Sequence, residues 1–217
     1  MAGYLILGAG KFGHLALQRL HLRSPRSEFW LVDFNPQKLS DVTLKDSATH
    51  LVGTDAIAFL EEALNWASPP EWIIPAIPRH VAFNWLWRRR PPECRWHRVE
   101  APAEVGQNLP FRQIGAEGEL YLSLSTVLCP DDCPSPADSC YLTGFKRPFD
   151  LYGYLENLSC RDYSSLVVRS QQLAPGVGGY RPADLWHLWE QVLALTGKIL
   201  ISTACRCHGV SHCIQTD

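Results

Sequence analysis

The sequence predicts an α/β protein: a parallel, helix-covered sheet in its first half, then a second α/β region that carries a cysteine-rich metal-binding loop. Three observations predict this. Short apolar runs alternate with helical periodicity through residue 90, a glycine-rich turn separates the first run from the first helix, and cysteines gather at 129–140 and 205–213. The 217 residues divide most naturally into a nucleotide-binding domain over 1–105 and a cysteine-rich region over 106–217, packed on the first sheet or continuing it.

Tyr4 to Leu7 reads as a β-strand that runs directly into Gly8-Ala9-Gly10-Lys11-Phe12-Gly13, after which Phe12, Leu15, Ala16 and Leu20 recur at helical spacing. A G-x-G-x-x-G pattern becomes specific when a strand precedes it and a helix follows. The first glycine permits the turn, the second admits phosphates to the backbone, and the third lets helix and strand approach. The free N–H groups of the helix start, at Lys11 and Phe12, would then face a pyrophosphate. A second strand, Phe29 to Val32, ends at Asp33, 20 residues beyond Gly13, where a carboxylate accepts hydrogen bonds from an adenosine ribose and disfavours a 2'-phosphate. NAD is therefore the expected dinucleotide, with Lys38 the nearest downstream cation.

A strand near His50 to Val52, a helix from Asp55 to Trp66 and a strand from Trp72 to Ile77 repeat the pattern. Ligands of such sheets bind at the carboxyl ends of the strands, which here present Thr54, Asp55 and Ala76. His80 is either an acid or base in the following loop or a residue flanking the next helix, the second being the commoner case. These residues resemble the NAD(P)-binding Rossmann superfamily, and most nearly the nucleotide-binding domains of potassium-uptake regulators and of siroheme-synthase dehydrogenases. The resemblance covers about residues 1–100 and rests on Gly8, Gly10, Gly13, Asp33 and Gly53-Thr54-Asp55-Ala56. It implies cofactor binding; ligand-gated regulation and hydride transfer both occur on that scaffold.

In the second half a strand at Leu120 to Ser125 leads into a proline-broken loop holding Cys129, Cys133 and Cys140, irregular backbone of the kind that wraps thiolates round one centre. A strand from Lys198 to Ser202 precedes Cys205, Cys207 and His208, with His212 and Cys213 beyond. If that strand runs parallel to the one before Cys129, both clusters emerge at the same edge and Cys205 or Cys207 completes the site. An iron-sulfur cluster and a structural zinc are the competing occupants, followed by a thiol redox pair. Cys94 and Cys160 are isolated, Cys160 being a reserve ligand. The stretch Gln171 to Tyr180, with three glycines, reads as an open loop suited to an anion or a cluster sulfur, or as a plain turn before a helix from Pro182 to Leu195.

Lys and Arg total 20 against 22 Asp and Glu, so nucleic acid is not the expected partner, and Arg88, Arg89 and Arg90 read as a solvated helix end. No apolar window suits a signal peptide or a membrane span, and the expected location is the cytoplasm, where cysteines stay reduced. The function these features predict is an NAD-linked redox protein that works with a small substrate or a redox partner protein. The alternative is a non-catalytic sensor or regulatory subunit with structural zinc, favoured by the lack of a clear catalytic pair. A homodimer through the helix bearing Trp85 and Trp87 is the candidate assembly. Two substitutions test these assignments. Asp33→Ala should weaken NAD binding more than NADP binding in a direct titration, and equal affinities before and after would remove the ribose role. Cys133→Ser should lower the metal content of purified protein, and full retention would exclude it as a ligand.

Overall fold

The computed structural model describes residues 3–44, 46–159 and 162–217; Cys160 lies outside the described residues. In chain order the first elements are β1 (Gly3–Leu7), α1 (Lys11–Arg23), β2 (Glu28–Val32), α2 (Pro36–Ser40), β3 (Thr49–Val52), α3 (Ala56–Ala63), β4 (Trp72–Pro75) and α4 (Val81–Arg89). They are followed by β5 (His97–Val99), β6 (Phe111–Ile114), β7 (Leu120–Ser123), α5 (Leu151–Glu156), β8 (Tyr163–Arg169), β9 (Gln171–Ala174), β10 (Val177–Gly179), α6 (Pro182–Ala194), β11 (Gly197–Ala204) and β12 (His208–Thr216). The chain forms two compact units, one of residues 1–81 with 171–182 and the other of 82–170 with 183–217. The division thus falls at Val81 rather than near residue 105, and the first unit takes back a segment from the second half of the sequence.

The first unit is a parallel sheet of order β3-β2-β1-β4. β1 is buried along its whole length, as a central parallel strand must be, and this explains its unbroken apolar run. α1 covers the sheet with Gly13, Ala16, Leu17 and Leu20, the stripe expected of an amphipathic helix. Stacked Tyr4 and Phe29 rings, 5.2 Å apart, join the same core.

The glycine-rich stretch 171–180 is not an open loop. It folds into the antiparallel hairpin β9-β10, turning at Gly176 (φ 65°), and Tyr180 then exchanges backbone hydrogen bonds with Ile73 of β4 at 2.9 and 3.1 Å. A Cβ at Gly179 would lie 2.8 Å from the Ile73 carbonyl oxygen, so this glycine serves close backbone approach rather than ligand access. Hydrogen bonding to the edge of the sheet overrode the loop signal. Arg19 and Arg23 of α1 fasten the same segment through the carbonyls of Pro175 and Leu173.

The strands of the second unit form a sheet of their own, ordered β6-β7-β12-β11-β8, with β5 also pairing β12; they do not continue the first sheet. Only β8 and β11 pair in parallel. Leu120, Leu122, Leu151, Leu155 and Leu200 fill its core beneath α5. Trp85 is fully buried, in edge contact with Trp186 of α6 at 5.5 Å, and the Arg89 guanidinium stands 4.4 Å from the Trp186 ring. Trp85 is therefore a core residue of one chain, not an apolar surface for a second copy. Among the described residues no helix is long and apolar enough to cross a membrane.

His212 of β12 stacks on Phe83 of α4, with ring centroids 4.0 Å apart, and is 5% exposed. Burial, assisted by repulsion from Arg98 and only partly opposed by Glu119, lowers it to about 4 from an ordinary 6.5. Between those two pH values the unfolded chain binds a proton that the folded chain refuses, so the stability contribution is complete above about 6.5 and is lost as pH falls towards 4. Denaturant titrations of the wild type over this window should show a loss of about 3 kcal/mol that His212→Phe removes. An equal slope in both proteins would disprove the assignment.

Candidate nucleotide and thiolate sites

In the first unit, Gly8 has φ of 112°, and its N–H donates to the Val32 carbonyl at 2.7 Å. A Cβ there would meet the Ala76 carbonyl oxygen at 2.8 Å, which brings the loop after β4 against the glycine turn. The N–H of Ala76 in turn donates to the Leu7 carbonyl at 2.8 Å. A Cβ on Gly13 would stand 1.8 Å from the Gly8 carbonyl oxygen, so α1 can start where it does only with glycine at that position. Gly10 differs: a Cβ would meet nothing within 4 Å, and the residue caps α1 without a side-chain bond. The turn therefore leaves open space over Gly10 at the start of α1, where Lys11 and Phe12 are exposed.

Asp33 is 4% exposed at the end of β2. Its carboxylate accepts from the N–H groups of Ala9 and Asn35, both at 2.9 Å, and lies 3.7 Å from the Lys38 ammonium. Burial pushes its pKa up, but these donors and the cation outweigh it and hold the carboxyl below its ordinary value. Asp33 thus ties β2 to the glycine turn and remains anionic. Thr54 is half-buried, whereas Asp55 is occupied as the cap of α3, accepting from Ile57 and Ala58 at 3.1 and 2.9 Å. His80 is only 2% exposed, consistent with a packing role.

In the second unit, β12 separates β7 from β11 and is antiparallel to both, so β7 and β11 point the same way. Their ends meet across β12: Ser123 pairs His208, Ala204 pairs Gly209, and the Leu124 N–H donates to the Cys207 carbonyl at 2.8 Å. This brings the loop holding Cys129, Cys133 and Cys140 and the turn holding Cys205 and Cys207 to one end of the sheet.

Backbone N–H groups are aimed at several of these sulfurs. Cys205 Sγ accepts from the N–H groups of Cys207 and His208 at 3.4 and 3.3 Å, and Cys133 Sγ from that of Ser135 at 3.4 Å. Ser135 takes φ of 47°, the only positive φ at a non-glycine residue among the described residues. At Cys140 the Thr143 hydroxyl, then the N–H groups of Thr143 and Leu142, hold the thiol below its ordinary value. Burial opposes ionisation of Cys205, but the His208 ring and the two N–H groups prevail and lower it also. Cys129 is raised by burial and by repulsion from Cys133, Cys140 and Cys205, against a contact with the Ser125 hydroxyl. Cys207 is pushed up to about 11, chiefly by burial and despite the nearby Arg147 cation. Cys140 and Cys205 are thus easier to ionise than an ordinary thiol and Cys207 harder.

Arg147 organises the loop. Its guanidinium donates to the carbonyls of Pro136, Ala137 and Ser139 and reaches Cys207 Sγ at 3.4 Å. Asp150 lies 3.9 Å from Arg147 and 3.5 Å from Arg206 and so links the two guanidinium groups. Among the described residues no three His, Cys, Asp or Glu side chains close on a point that could hold a single metal ion. Arg147, Arg206 and His208 had no place in the sequence-based site; the recurrence of Cys-x-x-x-Gly at Cys140 to Gly144 and Cys205 to Gly209 was the available signal for paired sulfur-binding turns.

Residues 82–217 match the family AF_1314_C, described as "Uncharacterized protein, C-terminal domain". An uncharacterized protein of Archaeoglobus fulgidus is 31% identical over 221 residues, a match covering 95% of this chain and 96% of the relative. No solved structure matches the chain. The family match spans the second unit together with the segment 171–182 that folds with the first, and the chain belongs to this family.

Proposed function

We propose that the protein is an NAD(H)-binding redox protein whose second unit carries a cysteine-ligated iron-sulfur centre. The observation that carries the reading is the gathering of Cys129, Cys133, Cys140 and Cys205 at one sheet end, with N–H groups aimed at the sulfurs and Arg147 beside Cys207. Donors to sulfur and nearby cations stabilise ligating thiolates. The donor set is four cysteines at one end of the sheet, close enough that Cys129 feels the charge of Cys133, Cys140 and Cys205. Cys207, raised by burial and in contact with Arg147, is the reserve donor.

On the nucleotide side, the space over Gly10 and the N-terminal end of α1 would receive the pyrophosphate, with Lys11 and Phe12 at its edge. Asp33 would accept from the adenosine ribose with the lone pairs that its backbone donors leave free, and Thr54 and Ala76 would border the cofactor. An iron-sulfur cluster supplies one-electron transfer. NADH yields two electrons as hydride, so exchange with a cluster would pass through a flavin, a substrate radical or a partner protein.

The deciding experiment is iron and acid-labile sulfide analysis of protein purified without oxygen, with visible spectra before and after NADH. Iron and sulfide in near-equal amounts, with absorption that NADH bleaches in the presence of a mediator, is the expected result. Colourless protein with stoichiometric zinc and no response to NADH would sink the redox reading and leave a regulatory subunit.

A further inference from the structure

We propose that His208 is a positioning residue of the thiolate centre, one ring bridging Cys129 and Cys205 and raising the reduction potential of the centre they hold. The proposal rests on the reading above. The His208 Nε2 atom lies 3.4 Å from Cys129 Sγ, and Nδ1 lies 3.9 Å from Cys205 Sγ. The ring is nearer to Cys129 than the Ser125 hydroxyl is, at 4.0 Å.

The backbone holds the ring in this place. The His208 N–H donates to Cys205 Sγ at 3.3 Å, its carbonyl accepts from the Cys205 N–H at 2.9 Å, and the residue pairs with Ser123 across β12 and β7. His208 is thus tied both to the turn that presents Cys205 and to the strand that leads to Cys129. The two ring nitrogens point away from each other, so one imidazole cannot chelate a single ion with both. Either neutral form offers one N–H to one of the two sulfurs. An N–H directed at a ligating sulfur draws charge from it and favours the reduced, more negative state of the centre.

The test uses the full chain, purified without oxygen and reconstituted with ferrous iron and sulfide, as wild type, His208→Ala and His208→Gln. At the wild-type midpoint potential, His208→Ala should show about a tenfold lower reduced-to-oxidised ratio, about 59 mV for one electron, with unchanged iron and sulfide. His208→Gln, which keeps an N–H donor, should recover part of the loss. An unaltered midpoint in His208→Ala overturns the proposal. Loss of iron in His208→Ala with recovery in His208→Cys would make the residue a ligand, which also overturns it. Failure of the wild type to take up iron and sulfide would be the failure of the thiolate-centre reading itself.

Discussion

The pairing of β12 is the constraint on which the second unit depends. Because it is antiparallel to β7 on one side and to β11 on the other, the strands that lead into the two cysteine clusters must run in the same direction. Cys129 and Cys205 are 76 positions apart in sequence, yet their loops leave the sheet at one end. A slip of one residue in the β12 ladders would turn every core side chain to the opposite face, so burial of Leu120, Leu122 and Leu200 protects the placement of the thiols as well.

Electrostatics then differentiates sulfurs that look alike in sequence. Cys140 and Cys205 sit in turns that point donors at them, whereas half-buried Cys207 is raised by burial and by the Cys205 and Cys129 sulfurs against the pull of Arg147. The carbonyls of Pro136, Ala137 and Ser139 converge on Arg147, so one cation both folds the proline-broken loop and biases the charge of the site. Breaking such a network at one partner leaves a buried charge uncompensated, and conformation and charge are for that reason inseparable here.

The first unit solves a different problem, that of bringing backbone close to backbone. Gly13 lets α1 begin against Gly8, and Gly8 lets the loop after β4 close over the turn. Asp33, anionic and nearly buried, holds the turn to β2 through Ala9. The segment returning at 171–182 adds an antiparallel partner to the edge of β4, which a lone parallel sheet would leave unpaired.

What the sequence by itself determined lies in local patterns: the strand, glycine turn and helix at Tyr4 to Leu20, the acidic end of β2, the strands before both cysteine clusters and the amphipathic α6. These follow from side-chain periodicity and from the tight positions of Gly8 and Gly13, and both are written in neighbouring positions. The tertiary structure alone decided matters that depend on distant partners. The Gln171 to Tyr180 stretch became a hairpin because an exposed sheet edge offered it hydrogen bonds, Asp55 became a helix cap, and Trp85 became core because α6 packs over it. Which sulfurs receive backbone donors, and that His208 stands between two of them, depends on turns whose N–H directions no spacing of cysteines encodes.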